Sequence, residues 1–396
     1  TLSHLSRVEF EGGRLTLLAG YADKDFGAFD FYSPGRGIPS HERVRSAFAA
    51  LTGSTSIGGM EVSAAVTMRD FRDRFQFDLR IPDQYINEHH TQVLGGDVRA
   101  IVPVSDAASL TFGIEHSRDR IESSNLGSHE RSWVAFSAVS QWEAATWLHL
   151  DGGIRWDVHS HHIPQFNPSI GVRMIPFDRL MLRASAGRSF RLPTYTDLYY
   201  SDPVNKGNAA LQPESAWSVE SGVEWRPLNT VSLSATVFYR DQRDLIDYVQ
   251  FTEDQAFFAM NFTRASVTGS EWMLQWRADG KGVLSRAGIS WTAISPRLDT
   301  RDAWRVRYSF TTPEHLLRLR LGGTLPLAMQ WTLITIAAEQ RLARNYVSID
   351  ARLRRSFGAW DAWVAADNLT NSAIEEFPGL PLPGRWLRFG MGLQLH

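Results

Sequence analysis

The feature that most limits how this chain folds is a repeated alternation of apolar and polar residues at a period of two. Val231, Leu233, Ala235, Val237 and Tyr239 fall on one side of such a run; Ser232, Ser234, Thr236 and Arg240 fall on the other, with Phe238 the exception. Val347, Ile349, Ala351 and Leu353 oppose Ser348, Asp350, Arg352 and Arg354. Leu317, Leu319 and Leu321 alternate with Arg318 and Arg320, and Leu387, Phe389, Met391, Leu393 and Leu395 with Arg388, Gly390, Gly392 and Gln394. Period two is the mark of a β-strand with one apolar and one polar face. The runs read as about 9 to 12 residues each, close to the length of a bilayer-crossing strand.

What the apolar faces meet decides the class. In a soluble sandwich they pair inward; in a membrane barrel they face lipid and the polar faces line the interior. Arginines at Arg318, Arg320, Arg352, Arg354 and Arg388 suit a polar lumen, although solvated arginines on a sandwich give the same pattern. No run of about 18 apolar residues exists for a transmembrane helix, which leaves a barrel open. The 14 Trp, 10 Tyr and 22 Phe suit two aromatic girdles, or alternatively a large aromatic core.

The connections separate the two classes. Short links occur at Glu11 to Gly13, Pro103 to Ala107, Ile175 to Arg179, Arg226 to Asn229, Ala278 to Lys281, Leu325 to Ala328 and Phe357 to Ala359. Between them lie long polar, aromatic-rich segments: Lys24 to Arg43, Phe77 to His90, Arg118 to Arg131, Arg188 to Trp217, Asp241 to Arg264 and Ser295 to His315. Short turns on one rim and long loops on the other are the pattern of outer-membrane barrels. The chain therefore reads as all-β, an antiparallel transmembrane β-barrel with about 19 strands. Residues 1–396 form one domain, because a cut sheet exposes unpaired edges to lipid.

The parity leads to a further expectation. The first connection is short, so the first strand descends from the long-loop rim. Single-chain bacterial barrels have even strand numbers, so about three strands precede Thr1 in a barrel of the 22-strand receptor type.

The net charge of −2 gives no Lys/Arg excess for nucleic acid. The absence of cysteine removes disulfides, thiolate metal sites and cysteine nucleophiles. Thr1 to Gly20 lacks the basic start, apolar run and cleavage site of a signal peptide.

Two segments resemble TonB-dependent outer-membrane receptors. Phe190-Arg191-Leu192-Pro193 is similar to that family's FRAP box, with Leu192 in place of the usual Ala. Asn208-Ala209-Ala210-Leu211-Gln212-Pro213-Glu214 is similar to its NPxLxPE box, with Ala209 in place of the usual Pro. At the other end, Asn368-Leu369-Thr370-Asn371 resembles the motif before the family's last loop, and Pro383-Gly384-Arg385 the lead into its final strand. Further matches at Gly153 to Asp157, Asn167 to Gly171 and Asn261 to Glu271 keep the family's order. Asp23 to Ala28, Phe31-Tyr32-Ser33 and Arg118 to Gly127 look like the cobalamin-receptor-like branch. The family's amino-terminal plug and TonB box have no counterpart here, and His396 stands where an aromatic residue usually ends the barrel.

The resemblance implies uptake of a scarce nutrient, such as cobalamin or a ferric siderophore, across the bacterial outer membrane. It implies as partners the membrane lipid, the small-molecule nutrient and a TonB complex acting through a plug. It implies no catalysis. Tyr195, Tyr199 and Tyr200, in the longest external loop, are the candidate ligand-contact residues; loop packing is the other use for them. Haem receptors of the family place a histidine between the two boxes, and Thr194 to Gly207 has none.

His159, His161 and His162 have spacing that suits a transition metal, though loop histidines are more often solvated, and His89-His90 reads the same way. Asp241, Asp244, Asp247, Glu253 and Asp254 offer oxygen ligands for loop calcium without EF-hand spacing. No cofactor or metal site is assigned. Ser128-His129-Glu130 is contiguous, unlike a hydrolase triad, and no nucleophile elbow or zinc-protease motif occurs. The alternatives are a passive porin-like or adhesive barrel and a soluble carbohydrate-binding β protein.

Overall fold

The alternating runs become one continuous antiparallel sheet. The computed structural model describes residues 1–396 except 32–34, 82–84, 279–281, 300–304, 307–311, 342, 378–379 and 394–396; Tyr32, Ser33, Lys281, Gln394, Leu395 and His396 thus lie outside the described residues. The first half contains β1 (Leu2–Phe10), β2 (Gly13–Gly27), β3 (His41–Ile57), β4 (Met60–Gln76), β5 (Ile86–Ser105), β6 (Ala108–Ser123), β7 (Gly127–Ala145), β8 (Leu148–His159), β9 (Gln165–Phe177) and β10 (Leu180–Arg191). A one-turn helix α1 (Tyr195–Tyr199) and β11 (Asn205–Lys206) follow. Then come β12 (Glu214–Leu228), β13 (Val231–Gln250), β14 (Phe257–Arg277), β15 (Arg286–Asp299), β16 (Arg305–Val306), β17 (His315–Leu325), β18 (Met329–Glu339), β19 (Tyr346–Phe357) and β20 (Trp360–Asp367). β21 (Glu375–Phe377) and β22 (Leu380–Pro381) pair with each other, and β23 (Trp386–Leu393) ends the sheet.

The main sheet holds 21 strands among the described residues. β11 and β16 have two residues each, which leaves the 19 long strands that the alternation predicts. Each long strand pairs antiparallel with the next, from β1–β2 to β20–β23. Among the described residues β1 is paired on its β2 side and β23 on its β20 side.

Strand register aligns the apolar faces into rows. One row runs Val8, Leu15, Gly53, Ala64, Val98, Ile114, Phe136, Trp156 and Phe166 across β1 to β9. Its large members are exposed, with Ile114 at 46%, Phe136 at 46% and Phe166 at 53%. A second row runs Leu182, Val223, Ala235, Trp272, Trp291, Leu317, Ala337 and Val347. Contiguous exposed apolar surface of this extent needs a nonaqueous neighbour. An apolar outer band over a polar inner wall is the arrangement of a transmembrane β-barrel.

The opposite face carries paired charges. Arg155 contacts Glu115 at 2.8 Å and Asp157 at 2.9 Å. Arg354 reaches Asp361 at 2.8 Å and Arg388 reaches Asp367 at 2.6 Å. Arg318, Arg320, Arg352, Arg354 and Arg388 all lie in register opposite to the apolar rows, as expected of a polar lumen. Phe238, the exception in its run, also lies on this face, with its ring over Gly269; a Cβ there would strike the ring.

The strands are longer than the alternation indicates. β5 and β13 have 20 residues and β14 has 21, about twice what crosses a bilayer. The excess lies at the long-loop rim. Arg118 to Arg131, read as a long loop, is mostly the ends of β6 and β7, and Asp241 to Arg264 is mostly β13 and β14. Above the membrane both faces of a strand are wet, so the apolar period disappears while the hydrogen-bond ladder continues.

Candidate functional site

The longest segment at the long-loop rim, from Arg191 to Glu214, folds against the inner face. Pro193 cannot continue a strand ladder, and it is fully buried. Thr194 then caps α1: its hydroxyl accepts from the Asp197 amide at 3.1 Å, and Asp197 Oδ2 accepts from the Thr194 amide at 2.9 Å. This reciprocal capping box fixes the entry of a helix too short to be stable by itself.

Two small cores hold the segment. Tyr195 packs with Ile121 and Leu126 from the β6–β7 hairpin. Leu198 and Leu211 pack with Ile246, Tyr248 and Ala259 from the β13–β14 hairpin. Leu211 is 1% exposed. Gly207 passes so close to α1 that a Cβ would lie 2.9 Å from the backbone of Leu198, Tyr199 and Tyr200. Its amide donates to the Tyr200 carbonyl at 2.6 Å.

The charged residues of the two family boxes form the bolt. The Arg191 guanidinium donates to both Glu214 oxygens, at 2.9 and 2.5 Å, and lies 3.4 Å from Asp197. Glu214 Oε1 also accepts from the buried Ile246 amide at 2.7 Å. One carboxylate therefore ties β10, β12 and β13 together. The Asn208 amide donates to the Asp197 carbonyl, and Asn208 Oδ1 accepts from the Ala210 amide. Asn261 clasps Gln212 through both its amide atoms and donates to the Asp244 carbonyl. Phe190 meets the edge of the His159 ring at 5.5 Å between centroids.

The three tyrosines are all engaged. Tyr195 is 9% exposed, donates its hydroxyl to Asp119 Oδ1, and lies beneath the Arg131 guanidinium. Arg131 grips Asp119 at 2.8 Å and donates to the Pro193 carbonyl at 2.9 Å. Burial, followed by the bond to Asp119, pushes the Tyr195 phenol well above its ordinary value. Tyr199, half-buried, stacks on His129 at 3.5 Å. Tyr200 donates to Asp202 at 2.9 Å. Burial opposes the charged form of Asp202, but donors from Asn205, Val204 and Tyr200 outweigh it and hold the carboxyl below the usual range.

The carboxyl-terminal motif is a second clasp. Asn368, 5% exposed and with φ +51°, accepts from Thr370 and Ser372 and donates to the Ser372 carbonyl. Its amide donates to Asp350, and the Leu369 amide to the Ile349 carbonyl. The Arg385 amide donates to Asn371 at 3.0 Å; Gly384 sits where a Cβ would approach that same oxygen at 2.7 Å. Pro383, exposed, leads into β23.

The candidate metal ligands are dispersed. Asp241 lies on a strand, paired with Arg264 at 3.0 Å and Arg243 at 3.1 Å. Asp247 is 4% exposed. His159 packs against Phe190 and Trp133. In the turn after β8, burial and then nearby Arg131 lower the pKa of His162. Among the described residues no group of three or more His, Asp or Glu converges as for a metal. Of the partners that complete the rim, Asp119 and Asn261 fall in segments that resemble the family and Arg131 falls in none, and none of the three belongs to the two boxes they support. Their roles depend on contacts as distant as 76 positions, for Tyr195 and Asp119.

Residues 2–379 match the family model described as "TonB dependent receptor-like, beta-barrel". The chain belongs to this family. Among solved TonB-dependent receptor folds, it resembles the siderophore receptor PirA from Pseudomonas aeruginosa, with 16% identity and a TM-score of 0.76, over 98% of this chain and 69% of that one. The FrpB iron transporter from Neisseria meningitidis (F5-1 variant) superposes with a TM-score of 0.79 at 13% identity, over 98% of this chain and 72% of that one. At such identities the likeness shows the shared fold. In sequence, 105 residues are 31% identical to the vitamin B12 transporter BtuB of Vibrio vulnificus (strain YJ016). That match spans 26% of this chain and 16% of the transporter.

Proposed function

We propose that this chain is the wall of an outer-membrane receptor that takes up a scarce nutrient, cobalamin or a ferric siderophore, in a TonB-dependent manner. The observation that carries the reading is the bolted rim segment of Arg191 to Glu214 within a family-matched barrel. A passive pore needs only a wall. A receptor needs a rim that keeps its shape when cargo arrives, since a preorganised surface loses less entropy on binding. Here the connection between Arg191 and Glu214 is held by two cores and a three-strand carboxylate clamp.

Within that reading, cargo meets the rim on the flank of Tyr199 and Tyr200, which are partly exposed, while buried Tyr195 positions them. Of the loop acids, Asp241 serves the fold through its pairs with Arg243 and Arg264, and no calcium site is assigned. The protein binds and admits; it performs no bond chemistry. Its partners are membrane lipid, the nutrient, and the TonB complex acting through a plug.

The experiment is uptake of radiolabelled cobalamin and ferric siderophores by diderm cells expressing the gene, with and without a functional TonB system. Uptake that disappears without TonB supports the receptor reading. Uptake that persists, and does not saturate, would identify a passive porin-like barrel.

A further inference from the structure

The inner wall carries its charge unevenly. Among the described residues on the inner face of β15 to β23, Arg286, Arg318, Arg320, Arg352, Arg354 and Arg388 stand against Asp350, Asp361 and Asp367. The whole chain has 41 Lys and Arg against 43 Asp and Glu, so this excess is local.

Strand register gathers much of it into one row. Arg277 lies directly opposite Arg286, Arg286 opposite Gly322, Gly322 opposite Thr332, and Thr332 opposite Arg352. Arg320 is the next residue on the same face of β17, and Arg318 the one after it. Gly322 is buried beneath the Arg286 guanidinium, where a Cβ would meet Nη2 at 3.2 Å. Small Gly322 and Thr332 thus floor a shallow trough, with Arg286 and Arg320 on one side and Arg352 on the other. The row lies near the short-turn rim, since Arg277 ends β14 and Arg286 opens β15.

The acids of this wall are engaged elsewhere. Asp361 pairs with Arg354 at 2.8 Å and Asp367 with Arg388 at 2.6 Å, and Asp350 accepts from the Asn368 amide at 2.8 Å. Among the described residues no carboxylate lies within ion-pair distance of Arg277, Arg286, Arg318, Arg320 or Arg352, and all five are exposed. Arg352 rests on the Trp363 ring at 4.7 Å, which steadies the side chain without cancelling its charge. Like charges opposite each other across a strand pair repel, so Arg277 beside Arg286 is unfavourable for the sheet alone. Arginines ringing a lumen favour anions there.

We propose that the row of Arg286, Arg320 and Arg352 binds an anion at the short-turn mouth of the lumen, and that the cargo is an anionic chelate. The proposal rests on the uptake reading above and narrows it. A ferric tris-catecholate siderophore is a trianion and supplies the charge that this wall lacks. Cobalamin, whose phosphodiester is offset by its cobalt cation, does not.

The test is equilibrium dialysis of the protein in nonionic detergent, at low ionic strength, against hexacyanoferrate(III) and hexaamminecobalt(III). These are compact octahedral ions of equal and opposite charge, and the chain has no cysteine for the cyanoferrate to oxidise. The expected result is retention of the anion at about tenfold over the cation, about 1.4 kcal/mol, with most of it lost at about 0.15 M salt. Arg286→Gln/Arg320→Gln/Arg352→Gln lowers anion retention about fivefold while keeping the heat-dependent gel shift of a folded barrel. Arg43→Gln/Arg72→Gln/Arg74→Gln, on the outer face and with the same change of charge, leaves it unchanged. Where the inner triple variant loses the gel shift, Arg320→Gln alone is read, with an expected loss of about twofold. No preference for the anion, no loss in the inner variants, or an equal loss in both triple variants overturns the anion site. Each of these outcomes leaves the uptake reading to be decided separately by TonB dependence.

Discussion

Gly207 is the residue of the rim segment with least room for change. A Cβ there meets backbone, not a side-chain end that can swing aside. Gly207→Ala is expected to cost about 1–3 kcal/mol of local stability, the usual range for forced overpacking. Hydrogen exchange should quicken at the amides of Leu198, Tyr200 and Leu211 while the strand amides below stay protected. Glu214→Gln leaves the Ile246 amide an acceptor but weakens the charge-assisted grip of Arg191; about 1–2 kcal/mol follows, discounted because Arg191 is about half exposed. Tyr195 gives a titration test. Its pKa is raised, so its contribution is complete below the ordinary phenol value of about 10 and is lost as pH rises beyond it, where the unfolded chain ionises first. In an alkaline absorbance titration one phenol should ionise later than the rest, and that lag should vanish in Tyr195→Phe. Phe190, Arg191, Pro193, Asn208, Leu211, Pro213 and Glu214 are visible in the sequence as motif members, yet the clamps that Arg191, Asn208 and Glu214 form are not. The Glu214 contact to the Ile246 amide spans 32 positions and follows no local pattern.

At the scale of elements, legibility depended on solvent. The alternation marked the lipid-crossing part of each strand because only there do the two faces meet different media. Ser117 to Glu122 in β6 is polar on both faces but for Ile121, so its strand character was hidden. The short turns at Glu11 to Gly13 and Phe357 to Ala359, by contrast, fall between strands as expected; Gly12, with φ +79°, takes a conformation that glycine adopts without strain, and Gly358, at φ +61°, does the same. The segment Tyr200 to Gly207 turns on Asp202, which accepts from the Val204 and Asn205 amides at 2.7 and 2.5 Å. The Asp202 pKa is lowered, so this support is present above the ordinary carboxylate value of about 4 and fades as pH falls below it. Limited proteolysis should cleave after Lys206 faster at pH 3 than at pH 6, using an acid-tolerant protease. Asp202→Asn should cleave at the faster rate at both.

For the molecule as a whole, the sheet's two faces are one residue apart wherever the register is regular, which makes the assignment of medium testable by neighbouring substitutions. Phe136 lies in the exposed apolar row across β1 to β9, and Ser137 points to the polar wall beside Gly113. An arginine on the lipid side at mid-depth costs about 2–4 kcal/mol, whereas the lumen side already accommodates Arg155 in a pair with Glu115 and Asp157. Phe136→Arg should therefore lower the folded fraction in phosphatidylcholine vesicles, read by the heat-dependent shift in gel mobility, and Ser137→Arg should leave it close to the parent. The reverse order would place the apolar rows inside and make the protein a soluble β structure. The contrast holds because no single residue decides the face. Register carries it: a slip of one position in any strand would turn Val98, Ile114, Phe136 or Trp156 from lipid to water together with its whole strand, so the apolar rows and the hydrogen-bond ladder specify each other.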